Sequence, residues 1–218
     1  MSAPTFLVFD VETNDLPDFK LPADHPQNAY IVQIGALLLD GDFNELAELD
    51  CLISPEGWRI APGAQNAHGI SLERCHAEGI PISAVMTQFD TMADAVAAND
   101  GTLVAFNIRF DNKLVRGARR RLGRPDRFGL VREFDAMRAS HNLCRLPPTA
   151  QMLKYGRTGF KTPKLEEAHR ILCGSEMSGA HDALSDVRAT VNVMRALRDK
   201  HGVDIRGERP ASYRGAAE

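Results

Sequence analysis

Four carboxylates and one imidazole carry the chemical potential of this chain. Asp10 and Glu12 stand two apart in the otherwise apolar run Phe6-Leu-Val-Phe-Asp-Val-Glu12. Residues two apart on a strand share one side of the sheet, so both carboxylates point the same way. Acids on such a strand are costly to bury unless they are paired or hold a metal; the alternative is a strand end where both reach water. Asp111 follows Val104-Ala-Phe-Asn-Ile-Arg-Phe110, where an apolar run gives way to a polar turn and a helix. Taken alone, a carboxylate at that point reads as a helix cap. The third stretch is Gly179-Ala-His-Asp-Ala-Leu-Ser-Asp186. Helical spacing would set His181 and Asp186 about 140° apart. They converge only if His181 precedes the helix and Asp186 lies in its first turn, with Asp182 as N-cap.

The elements that must position these residues follow from pattern. Residues 5–12 read as a buried strand, and 30–39 and 43–53 as a hairpin about the Asp40-Gly41-Asp42 turn. Between them lies a stretch with Pro17, Pro22 and Pro26, loop 13–29, read either as a strand-separating or specificity element or as a passive connector. Helical spacing covers 81–98, 110–122, a segment from about Asp135, 164–173 and 182–200; short apolar strands fall at 101–106 and 131–134. Strands alternating with helices favour parallel pairing. The expected fold is α/β: a mixed five-stranded sheet, antiparallel hairpin strands first and parallel strands after, flanked by helices. Residues 1–202 form the expected domain and 203–218 a short flexible tail. Trp58 is expected to pack at the hairpin edge.

The net charge of −3 conceals an asymmetry. Residues 1–100 hold 3 Lys/Arg against 16 Asp/Glu, and residues 101–218 hold 23 against 13. Seven cations between Lys113 and Arg127 face only Asp126. Such a cluster is either a track for a polyanion or a solvated helix face; a track predicts salt-dependent binding, flattened by charge reversal at Arg119 and Arg120. Cys51, Cys75, Cys144 and Cys173 are widely spaced, which signals neither a disulfide framework nor a zinc knuckle. The pairs His141/Cys144 and Cys75/His76 are minor candidates for metal ligands. No apolar stretch approaches the length of a membrane span, and acids follow the first apolar run directly. A cytoplasmic protein without a leader or membrane association is expected.

The three stretches, in this order, resemble the exonuclease motifs of the DnaQ-like family, the DEDDh branch of the RNase H-like fold. Phe9-Asp10-Val11-Glu12-Thr13 resembles its D-x-E-T motif, Asn107-x-x-Phe110-Asp111 its N-x-x-F-D motif, and His181 five residues before Asp186 its H-x-x-x-x-D motif. Ala67-His68-Gly69-Ile70 resembles the family's H-G-I segment and Lys164-Leu-Glu-Glu-Ala168 its helix before the third motif. The resemblance covers about residues 5–200. Two positions depart: Asn14-Asp15 follow D-x-E-T where the family commonly has Thr-Gly, and Phe106 precedes Asn107 where it usually has His. Both lie where the family grips the 3′ end, so they bear on substrate preference more than on activity.

The resemblance implies a metal-dependent 3′→5′ exonuclease releasing nucleoside monophosphates from single-stranded 3′ ends, DNA favoured over RNA. It implies two divalent ions, Mg²⁺ or Mn²⁺. Asp10 would bridge both, Glu12 and Asp186 would hold the one carrying the attacking water, and Asp111 would serve the other through water. His181 would be general base. Thr13, Asn14, His68 and Asn107 would contact the terminal nucleotide. RNA trimming, or service as a polymerase proofreading subunit, are the rival readings; a polymerase or a second copy would then be the partner. All five catalytic positions are filled, which argues against an inactive binding domain.

Overall fold

A computed structural model describes residues 2–125, 128–177 and 182–210. Five strands form one sheet: β1 (Phe6–Thr13), β2 (Ile31–Leu39), β3 (Glu45–Leu52), β4 (Thr102–Ala105) and β5 (Arg132–Asp135). Their order is β3-β2-β1-β4-β5. β2 pairs antiparallel with β1 and β3, whereas β4 pairs parallel with β1 and β5. The mixed sheet expected from the sequence is therefore present, with each strand within about two residues of its expected bounds.

Strand parity divides the core in two. Leu7, Phe9 and Val11 face α3 (Ile82–Ala98) and α4 (Ile108–Arg121), with the Phe9 and Phe89 rings edge to face at 5.2 Å. Phe6 and Val8 face the other way, toward α5 (Ala136–Cys144) and α8 (Ala183–His201). Asp10 and Glu12 continue that second parity. They therefore emerge from beneath α8 where the apolar side chains of β1 end.

Four further α-helices lie among the described residues. α1 (Pro62–His68) and α2 (Leu72–Glu78) connect β3 to α3, and α6 (Ala150–Lys154) interrupts the segment after α5. Sequence pattern does not signal these three, since helices of one to two turns show too little periodicity. The helix expected over 164–173 is instead α7 (Leu165–Ala168) running into a π-helical turn, His169–Cys173.

Residues 203–210 pack against the domain. Ile205 is buried, the Thr102 hydroxyl donates to the Arg206 carbonyl at 2.6 Å, and Glu133 and Glu208 exchange backbone bonds of 2.8 and 3.1 Å. The packed chain thus extends past the boundary expected at 202, because this segment adds to the open edge of β5. The remainder of the tail lies outside the described residues. Trp58 is buried in the core beside the hairpin, as expected. No described helix is long and apolar enough to cross a membrane.

Candidate active site

Three chain segments bring the acids together. β1 supplies Asp10 and Glu12 from its α8-facing side. α8 supplies Asp186 from its first turn. One carboxylate oxygen each of Asp10, Glu12 and Asp186 lie within 4.8 Å of one another. Among the described residues this is the only group of three or more potential metal ligands, so neither His141/Cys144 nor Cys75/His76 is part of one. All four cysteines are free thiols.

The fourth acid corrects its local reading. α4 starts at Ile108, behind Asn107, whose left-handed backbone (φ 79°, ψ 54°) turns the chain off β4. Asp111 is in the first turn but does not act as the N-cap. Its carboxylate is 2% exposed and accepts the Val11 backbone N–H at 3.2 Å, linking residues 100 apart. Val11 lies between Asp10 and Glu12, so Asp111 stands immediately behind the three-carboxylate group without belonging to it.

Asp10 and Asp111 are crowded and poorly solvated. Burial raises the Asp10 pKa well above the ordinary carboxylate value, and Asp111, Asp186, Glu12 and Asp182 add in the same direction. Burial also raises Asp111 well above its ordinary value; bonds from backbone N–H groups, Val11 among them, oppose it, and Asp135 and Glu12 reinforce it. Burial raises Asp135 too. That residue caps α5, accepting the Arg138 N–H at 3.1 Å, and also accepts the backbone N–H of Asn107.

What aligns α8 with β1 is a contact that the motifs do not reveal. Gly35 on β2 pairs with Asp10 across the strands. A Cβ built on Gly35 would lie 2.6 Å from the backbone of Ala183 and Leu184. The start of α8 therefore rests directly on the β2 backbone, possible only without a side chain there. Beside it, the Gln33 amide donates to Asp182 at 3.1 Å and to Asp50 at 2.9 Å, while its oxygen accepts the Ala183 N–H at 3.3 Å. Asp182 caps α8 as expected, accepting the Ser185 N–H at 3.0 Å. Burial would raise its pKa, but the bonds from Gln33 and Ser185 outweigh that and hold it below the ordinary value. A lone glycine inside an apolar strand was the available signal for this contact.

The expected nucleotide contacts are placed as follows. Thr13 is buried, its hydroxyl donating to the Asp15 carbonyl at 2.8 Å. His68 Nδ1 accepts the Ile70 N–H at 3.0 Å, which leaves the proton on Nε2, 3.2 Å from the Thr13 carbonyl. Asn14 spends its amide inside the chain, accepting Tyr30 N–H at 2.7 Å and donating to the Arg59 carbonyl at 2.8 Å. It ties the end of β1 to its surroundings and is not presented outward. Asn107 is half-buried at the β4–α4 junction. His181 lies outside the described residues; α8 begins at Ala183.

The basic cluster divides, which corrects the role expected of Arg119. That residue is buried, paired with Asp90, and donates to the Pro125 carbonyl at 2.8 Å. Arg124 reaches the same Asp90 at 2.7 Å. Arg121 lies 3.8 Å over the Tyr30 ring and donates to the carbonyls of Ala23, His25, Asn28 and Ala29. Lys113 donates to the Leu21 carbonyl at 2.7 Å. A Cβ on Gly117 would lie 2.4 Å from the Ala23 carbonyl oxygen. These residues clamp loop 13–29 onto α4. Arg109 and Arg120 remain exposed on that helix, beside a cleft of about 1190 Å³ that also reaches Asn107 and Asp135. Arg127 lies outside the described residues.

Comparison with known proteins agrees with this geometry. The family model described as "Exonuclease" (RNase_T) matches residues 7–194. A curated relative, 3′-5′ DNA exonuclease Cap18 of Escherichia coli, is 24% identical over 200 residues, covering 88% of this chain and 90% of its own. The crystal structure of E. coli exonuclease I with a dT13 oligonucleotide superposes with a TM-score of 0.68 at 20% identity, over 91% of this chain and 42% of that one. The zinc-bound E. coli exonuclease I–ssDNA complex gives 0.67 at 19% identity, over 92% and 42%. The chain spans about two fifths of the length of those exonuclease I chains.

Proposed function

The chain belongs to the exonuclease family, and from that premise we propose that it is a divalent-metal-dependent 3′→5′ exonuclease that releases nucleoside monophosphates from single-stranded DNA. The observation that carries this reading is the convergence of Asp10, Glu12 and Asp186 within 4.8 Å. The donor set consists of carboxylate oxygens, the ligands that hard cations such as Mg²⁺ and Mn²⁺ take. The raised pKa values of Asp10 and Asp111 also match a site whose charge is balanced by an external cation. DNA is favoured by the activity named for the Cap18 relative and by the oligonucleotides in the exonuclease I structures.

In this proposal Asp10, Glu12 and Asp186 would hold the ions, with Asp111 as a further carboxylate for a second ion. Bound there, divalent ions would supply neutralisation of charge on the phosphoryl oxygens and a lowered pKa for the attacking water. His181 takes the proton from that water, a task suited to a near-neutral imidazole. Thr13, His68 and Asn107 shape the end of β1 and the β4–α4 turn, where the terminal nucleotide would sit.

The test is degradation of 5′-labelled DNA and RNA strands of one sequence with Mg²⁺ or Mn²⁺. The proposal expects a ladder shortening from the 3′ end, faster on DNA, absent in EDTA and in Asp10→Ala. Faster RNA cleavage would reassign the substrate, and no cleavage would reject the activity. His181→Ala should keep Mn²⁺ binding by calorimetry yet lower kcat by about 10²–10⁴-fold. Near-full activity in that variant would reassign the base.

A further inference from the structure

Residues 145–164, between α5 and α7, contain Arg145, Lys154, Arg157, Lys161 and Lys164 and no acid. Lys161 pairs with Glu167 at 2.5 Å and Lys164 acts electrostatically on the same carboxylate, but Arg145, Lys154 and Arg157 are exposed, and none of these three makes an ion pair with a described residue. Interleaved with them are Leu153, Tyr155 and Phe160, exposed to 53, 70 and 43%. Three of the eight large hydrophobic or aromatic side chains exposed among the described residues thus fall in one loop, a concentration that marks a contact surface.

The loop is built rather than slack. The Lys161 N–H donates to the Leu146 carbonyl at 2.9 Å and closes the excursion, as in an Ω-loop. Thr149 caps α6, accepting the Met152 N–H at 3.2 Å. Gly156 follows in the left-handed conformation (φ 69°), and Arg157 N–H returns to the Met152 carbonyl at 2.9 Å. This closure is a Schellman turn that holds Tyr155 and Arg157 outward. Phe160 meets the His141 ring edge to face at 6.4 Å. The loop is rooted in two helices tied to the elements that carry the acids. It leaves α5, whose cap Asp135 accepts the Asn107 N–H, and enters α7, which packs on α8, the helix carrying Asp186.

We propose that this loop is a stacking platform for the upstream nucleotides of the single strand whose 3′ end lies at the acids. Uncompensated cations call for a polyanion. Exposed aromatic rings among them call for unpaired bases, whose faces stack on tyrosine and phenylalanine without regard to sequence. A duplex offers the same phosphates but hides those faces. The inference rests on the exonuclease reading and extends it: affinity rises with strand length through contacts outside the catalytic cluster.

The test compares KM and kcat on three probes: a trinucleotide, a single strand of about 15 nucleotides, and that strand with abasic sugars upstream. Tyr155→Ala and Phe160→Ala should each raise KM for the intact long strand about tenfold, leaving kcat and the trinucleotide unchanged. On the abasic strand they should do nothing. Arg157→Glu should raise KM on both long probes and flatten its salt dependence. Active protein whose long-strand KM stays within about twofold in all three variants, or variants that impair the trinucleotide equally, would overturn the platform. If the wild-type chain shortens no strand, the exonuclease reading fails separately. Fluorescence anisotropy of the labelled long strand then decides: weaker binding by Tyr155→Ala supports the platform, and equal binding overturns it.

Discussion

Like charges are gathered at two places in this fold, and the chain treats them in opposite ways. On α4 and just after it, Arg119, Arg121 and Arg124 are each matched by a carboxylate or a set of carbonyls from elsewhere in the chain. At the end of β1 the acids stay crowded: burial and four neighbouring carboxylates all push the Asp10 pKa up. The first arrangement spends charge on structure, clamping loop 13–29 and the end of α4. The second keeps Asp10 buried among like charges at a cost to the fold, a cost that a cation bound from outside would relieve. Charge density along a sequence does not separate these cases; what remains after folding does.

The contrast is broken most directly at Asp10. Asp10→Asn should lower activity by about 10³-fold or more, yet raise the melting temperature of the metal-free protein. A folded pKa above the unfolded value means that stability falls as pH rises through the window from the ordinary carboxylate pKa, about 4, to the raised one. Asparagine carries no such penalty. Melting curves in EDTA should therefore show Asn more stable at neutral pH, with the gain vanishing below about pH 4. A destabilised Asn variant would show that the cluster is compensated after all.

Gly35→Val comes next. Its side chain would lift the start of α8 from β2 and carry Asp186 away from Asp10 and Glu12, with both of those untouched. Activity should fall by about 10²-fold, the size of effect a misplacement of about 1 Å produces, and Mn²⁺ binding by calorimetry should weaken. Full activity would mean that α8 is not positioned by this contact.

The basic side is tested by stability. Arg119→Ala should cost about 2–3 kcal/mol in urea unfolding, because it removes one of the two arginines on partly buried Asp90. Salt dependence of strand binding should not change. The smallest effect is expected on the exposed face: Arg109→Glu and Arg120→Glu should each reduce the salt slope by about one. A reduced slope in Arg119→Ala at full stability would reverse the assignment.

Much of this architecture is legible in local pattern, because strand and helix periods are properties of neighbouring residues. Parity alone puts Asp10 and Glu12 on one side of β1. Spacing alone requires α8 to start after His181, and residue type makes Asp182 its cap. The D-G turn registers β2 against β3, and the order of the motifs carries the family. Tertiary structure decided the rest, since each remaining feature depends on residues far apart in the chain. Asp111 reads as a helix cap until Val11, 100 residues away, is seen donating to it. Arg119 reads as a surface cation until Asp90 packs against it. Gly35 is an unremarked strand residue until the α8 backbone lies on it, and loop 145–164 is an irregular linker until its ends close and its rings are left in water. Period and propensity report on nearest neighbours, whereas convergence and neutralisation of charge are set by contacts that exist only once the chain has folded.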